Sequence, residues 1–280
     1  MKISFQIFIL LFLSISCDVP IERHIDIDAP ILVGKSRSDA QIELGIDTEY
    51  RLKHGIQIMW YSNNENNVEY YSIHRGEMEM EPMIQFQNIG KVFLDDPLAS
   101  DTLFFDTTAM RHITYSYFIR AVGLQGNISN SSDTVSYTLN DSPNAISPVN
   151  TIADSFPIFR WIDNISNFQY TSEFVIRVEN VEQNNVNTVW TSHFYNEWFG
   201  FENYSPISFQ YFPATCSWGE YNDVFHENAP SNTISCFGAD TGLPQGSYRW
   251  KIKSISQVNN QNGIDEASGE SPWKYFNISF

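Results

Sequence analysis

Six histidines, at His24, His54, His74, His112, His193 and His226, and three cysteines, at Cys17, Cys216 and Cys236, are the side chains that could ligate a metal or act as nucleophiles. Their spacing supports neither role. Structural zinc is commonly announced by CxxC and a zinc hydrolase by HExxH on a helix. The chain has neither spacing, so no metal ligands are assigned. Asp and Glu together number 33, but two carboxylates work as acid and base only where folding sets them around one reacting group. The stretches LDDPLASD (94–101) and HIDID (24–28) gather oxygens that could hold calcium weakly; solvated loops account for them as well. A GxSxG elbow, a P-loop and a GxGxxG turn are all missing from the sequence. The expectation is of no catalytic residue and no cofactor.

Cys17 has a different chemistry open to it. Met1 and Lys2 lead into the apolar run Ile3 to Leu13, and LFLSISCDVP (10–19) then turns polar just after the cysteine. A basic start and a short apolar core are the layout of a secretory signal. The run is shorter than the roughly 20 apolar residues a spanning helix needs. Ser14-Ile15-Ser16 would serve as a small-x-small cleavage site, and Cys17 directly after it makes the segment resemble a bacterial lipoprotein signal. The pattern departs from that family in one place: Ser14 stands where leucine is usual, with Leu13 one position further out. The resemblance implies that residues 1–17 are the signal peptide and that Cys17 carries acyl chains, palmitate among them, as the mature N-terminus. It also implies a lipid-anchored place in a bacterial cell envelope, at the outer membrane. A conventional secreted protein is the alternative. Residues 18–29 would then be a tether.

Composition excludes other partners. With 16 basic and 33 acidic residues the formal charge is −17. Nucleic-acid affinity comes largely from Lys and Arg displacing counterions, so nucleic acid is excluded. Docking on an anionic membrane by charge is excluded for the same reason, which leaves the lipid as the attachment. Cys216 and Cys236 remain as an even pair, and outside the cytoplasm such a pair can form a disulfide. Closing a loop of about 20 residues would contribute roughly 3 kcal/mol in the chain-entropy view. Two free buried thiols are the other reading.

These side chains must be carried by strands. Short alternating runs separated by Asn, Asp, Ser, Gly and Pro fill the chain, the signature of antiparallel sandwiches. GIQIMWYS sets Ile56, Ile58 and Trp60 on one face, and VEYYSIHRG sets Tyr71, Ile73 and Arg75 on one face. TYSYFIRAVGLQG aligns Tyr115, Tyr117, Ile119 and Ala121, and SSDTVSYTL closes the set. Trp60, Tyr71 and the Tyr115 to Ala121 run resemble the strand-B tryptophan, strand-C tyrosine and strand-F motif of a fibronectin type III domain. The resemblance implies that these residues build a core and that Tyr115 is a corner tyrosine bonded to nearby backbone.

The pattern recurs. FPIFRWI offers Phe159 and Trp161, SEFVIRVEN offers Phe174, Ile176 and Val178, and GSYRWKIKSIS offers Tyr248, Trp250, Ile252 and Ser254. The expected fold class is all-β: two consecutive antiparallel, fibronectin type III-like sandwiches over 30–140 and 141–280, joined through NDSPNAISPVN (140–150). Tyr71 to Tyr115 spans 44 positions and Phe174 to Tyr248 spans 74, so the second copy has an insertion of about 30 residues, placed at about 194–240. Residues 194–225 contain 12 aromatics in 32, against 15% for the whole chain, with one Ile, one Val and no Leu. Such aromatics either cover a small core or form a stacking surface for a sugar or protein. Tyr195, Trp198, Tyr204, Tyr211 and Trp218 are the candidate binding residues.

The function expected is that of a non-catalytic, lipid-anchored envelope protein presenting sandwich modules to a protein or glycan. The alternative is a carbohydrate-active enzyme or glycan-uptake accessory protein whose carboxylate site no motif reveals.

Overall fold

The computed structural model describes residues 27–35, 44–51, 53–63, 67–78, 85–94, 102–164, 171–182, 185–196, 207–210, 217–218, 224–225, 232–238, 241–260 and 263–280, and these contain no helix. Eight strands form the first sandwich: β1 (Ile31–Leu32), β2 (Asp47–Tyr50), β3 (His54–Tyr61), β4 (Val68–Glu77), β5 (Gln87–Phe93), β6 (Leu103–Asp106), β7 (Thr114–Gly123) and β8 (Val135–Leu139). In one sheet β1 and β2 share an edge of β3, and β6 takes the other edge. The facing sheet runs β5–β4–β7–β8. Alternation puts Ile56, Ile58 and Trp60 against Tyr71, Ile73, Tyr115, Tyr117, Ile119 and Ala121, all at 0–1% exposure. Trp60 meets Tyr71 edge-on at 5.3 Å. Tyr115 closes its corner as the resemblance implies, its hydroxyl accepting the Met110 N–H at 3.3 Å. Arg75 leaves the apolar pattern by lying over the Tyr115 ring and donating to buried Asp106 at 2.7 Å.

The second sandwich comprises β9 (Asn144–Ser147), β10 (Asn150–Ile152), β11 (Ile158–Ile162), β12 (Thr171–Glu182), β13 (Asn185–Tyr195), β14 (Ile207–Gln210), β15 (Ser217–Trp218), β16 (Val224–Phe225), β17 (Thr233–Gly238), β18 (Gly246–Asn260), β19 (Gly263–Glu270) and β20 (Lys274–Ile278). A β14–β11–β9 sheet faces β17–β13–β12–β18, and β18 pairs with β20 along its first half and β19 along its second. Phe159, Trp161, Phe174, Ile176, Val178, Trp190, Phe194, Trp250 and Ile252 fill the space between, each at 0% exposure. The chain is therefore all-β, with two consecutive antiparallel sandwiches of fibronectin type III-like strand order.

Part of the aromatic-rich stretch belongs to this framework. Phe194 ends the core face of β13, and Phe209 of β14 stacks on it at 4.0 Å. β17 then adds a strand beyond β13, with Cys236 opposite Ser192.

The two sandwiches share a sheet. β19 runs parallel to β8, with Ala267 opposite Thr138 and Ser268 opposite Leu139, so β17–β13–β12–β18–β19–β8–β7–β4–β5 form one continuous series. Contact is close enough that a Cβ on Gly269 would stand 1.8 Å from the Asp141 carbonyl oxygen. Only glycine fits there. Charged groups line the seam and are buried. Asp47 Oδ2 lies 3.0 Å from Lys35, and Asp47 Oδ1 accepts from Lys253, from the Thr48 N–H at 2.7 Å and from the Tyr137 hydroxyl at 2.9 Å. Glu270 pairs with Lys251 at 2.6 Å and accepts the Tyr50 N–H at 2.9 Å.

His54 sits in the same seam. Its Nε2 accepts the Glu270 N–H at 3.1 Å, which leaves the ring proton on Nδ1, 3.2 Å from Ser142 Oγ. Burial, then Arg111 and Lys253, push His54 down to about 4, against the pull of Asp141. Burial pushes Asp163 up to about 6, opposed by the Thr171 hydroxyl. Between pH 4 and 6.5 the folded state leaves His54 neutral while the unfolded state protonates it, so stability is lost as pH falls. Asp163 has the opposite sign: between 3.8 and 6 it is protonated only when folded, so its contribution is lost as pH rises. Each is worth about 3 kcal/mol, and over the shared range they cancel. Urea unfolding should give a flat profile from these groups in the native chain and a loss of about 3 kcal/mol from pH 6.5 to 4 in Asp163→Asn. Identical profiles for the two proteins would show that the groups are not coupled to folding in this way.

Candidate functional site

The long hairpin of β12 and β13 overruns the body of the second sandwich, its last pair being Glu182 with Asn185. Two neighbours turn the overrun into one wall of a pocket. β17 leaves the sheet at Gly238, where a Cβ would stand 2.6 Å from the Trp190 ring and φ is +157°, so a side chain is disfavoured on both counts. The following segment is pinned by the Leu243 N–H, donated to the Ser155 carbonyl at 2.9 Å, with the Leu243 side chain buried. It is held again by Tyr248, whose hydroxyl donates to the Pro244 carbonyl at 2.8 Å. This repeats the corner seen at Tyr115.

The space between them is an open pocket of about 570 Å³. Asn180, Glu182, Asn187 and Thr188 face it from the hairpin, and Phe237, Leu243, Pro244 and Tyr248 from the other side. Burial raises the Tyr248 phenol above its usual range, with Asn180 opposing and Glu182 adding to the effect, so the ring stays neutral. An apolar wall facing amides, a hydroxyl and a carboxylate suits a ligand with one C–H-rich face and several hydroxyls. Its volume is that of a small-molecule site.

Tyr195 is 56% exposed, but it lies at the opposite end of β13, seven positions from Thr188 and so about 23 Å from the pocket wall. Trp218 pairs with Val224 in the β15–β16 hairpin. Trp198, Tyr204, Tyr211, Cys17 and Cys216 lie outside the described residues, and Cys236 is buried in β17. The sequence reading missed the pocket residues. Their signal was the unusually long alternation of β12 and β13, which made a hairpin too long for the sandwich it serves.

Three of the buried carboxylates are held by cations, Asp47 by Lys35 and Lys253, Asp106 by Arg75 and Glu270 by Lys251, while Glu173 lies 2.8 Å from the His193 ring and Asp163 is buried beside Thr171. Among the described residues no three His, Cys, Asp or Glu side chains gather in a way that could hold a metal ion.

No known protein family matches the sequence, and no curated protein does. Among solved structures the chain is similar to the FN1-FN3 domains of chicken CNTN1, at 13% identity with a TM-score of 0.24. The match covers 84% of this chain and 65% of that one. At that score the likeness adds nothing to the strand order already described.

Proposed function

We propose that this protein is a non-catalytic, lipid-anchored component of a bacterial cell envelope, held through acylated Cys17, whose second sandwich binds a glycan in the pocket beside Asn180 and Asn187. The pocket carries the reading: its amide, hydroxyl and carboxylate groups oppose an apolar wall in a space of about 570 Å³. Asp47, Asp106 and Glu270 are each tied to Lys or Arg and so are poor general acids, and Asp163 stands by Thr171, at the far end of β12 from Asn180, which favours binding over hydrolysis in the pocket. We place Cys216 as the disulfide partner of Cys236, which would tie the chain before β17 to a buried strand; intact mass under non-reducing conditions reads it.

Calorimetric titration with a panel of neutral oligosaccharides tests the pocket. Asn180→Ala and Asn187→Ala should each weaken binding about tenfold, the worth of a hydrogen bond to a ligand hydroxyl, with the melting temperature nearly unchanged. Undiminished binding in both variants would move the site elsewhere, and turnover of any oligosaccharide would overturn the non-catalytic reading.

A further inference from the structure

Four of the five most exposed large apolar side chains among the described residues crowd one pole of the first sandwich: Ile31 and Leu124 at 68%, Ile128 at 62% and Tyr61 at 60%. The fifth, Phe280, lies elsewhere. The backbone ties the four together. Ile31 pairs directly with Tyr61 across β1 and β3. Leu124 donates its N–H to the Asn67 carbonyl at 3.0 Å, on the loop that follows Tyr61. Ile128 bridges back to Val122 across a turn whose Gly126 has φ +80° and nothing within 4 Å of a Cβ. Such a turn is ordinarily polar; this one carries Leu124 at its tip.

The chain enters the fold at this same pole. The side chain of Ile27 is buried close to Gly123, where an added Cβ would stand 2.7 Å from its Cδ1, and the Asp28 carbonyl accepts from Asn63 at 2.8 Å. From Cys17 to Ile27 is ten residues, a reach of at most about 35 Å. A lipid on Cys17 therefore keeps this pole within reach of the bilayer surface. The net charge of −17 removes electrostatic attraction to anionic lipid, so contact at the pole must be apolar.

We infer that Leu124, Ile128, Tyr61 and Ile31 seat this pole in the interfacial layer of the membrane, a lipid surface being the occupant of the patch. The inference rests on the anchored reading above. Seating the pole makes β8 and β19 run away from the bilayer and antiparallel β18 run back towards it, so that the start of β18, beside the pocket, lies on the far side.

Hydrogen exchange tests it on the mature chain in phosphatidylethanolamine vesicles, with flotation and intact mass reporting the acyl chains. Amides at 120–130 and 58–63 should exchange about fivefold or more slowly in vesicles than in the unacylated chain free in solution, while those at 241–248 should not change. Leu124→Gln with Ile128→Gln should still float and carry the acyl mass but lose the slowing. A protein that floats, acylated, with no slowing at the pole overturns the inference and leaves the anchor standing. A protein that neither floats nor carries an acyl chain overturns the anchor; the pole is then judged by adding excess vesicles to that chain, where unchanged exchange at 120–130 overturns it too.

Discussion

Asp47→Ala destabilises the protein by about 3–5 kcal/mol, the usual result of breaking a buried ion pair from one side. The carboxylate is 3% exposed, and Lys253, across the seam, is 1% exposed. Removing the anion takes a counter-ion from that buried ammonium and an acceptor from the Tyr137 hydroxyl and the Thr48 N–H. Much of the loss is the weakened compensation of a buried positive charge. Changing Lys253→Met in the same chain should therefore recover a large share of it. Denaturant unfolding of the two single variants and the double closes the cycle. A cost below about 1 kcal/mol for Asp47→Ala would mean that the seam behaves as a surface pair in water.

Trp60→Ala and Trp161→Ala should each cost about 3–5 kcal/mol, as large aromatics removed from a packed core do. The two residues occupy the same place in the two sandwiches. Trp60 stands edge-on to Tyr71 at 5.3 Å, and Trp161 edge-on to Phe174 at 5.1 Å, both near 65° between planes. They share a second trait: neither indole Nε1 has a hydrogen-bond partner among the described residues. Trp→Phe at either site removes that unmet donor along with part of the ring, so it should cost much less than Trp→Ala. Equal losses for Phe and Ala would show that ring volume alone sets the cost.

The cores were legible because alternation reports a buried face wherever it occurs, and Ile56-Ile58-Trp60 and Phe174-Ile176-Val178 are regular examples. The corner hydroxyl of Tyr115 could also be placed in advance. The seam could not. Lys251 and Lys253 alternate with apolar residues as solvent-facing positions do, Glu270 stands in a polar run, and nothing in their own neighbourhood names Asp47 or Tyr50, some 200 residues away, as the groups that meet them. The pairing of β19 with β8 is likewise a long-range choice. The pocket was hidden for a related reason, since its walls come from separate strands and its polar residues read as an ordinary turn.

The parallel alignment of β19 with β8 has a mechanical consequence. A pull between the pole at Leu124 and the pocket at Asn187 acts along the strands, not across them. The two residue pairs joining β8 to β19 and the eight joining β19 to β18 are then loaded in shear, so that each set must break together, whereas a pull at right angles would open its bonds one after another. Under such tension the short β8–β19 junction is the place that yields first.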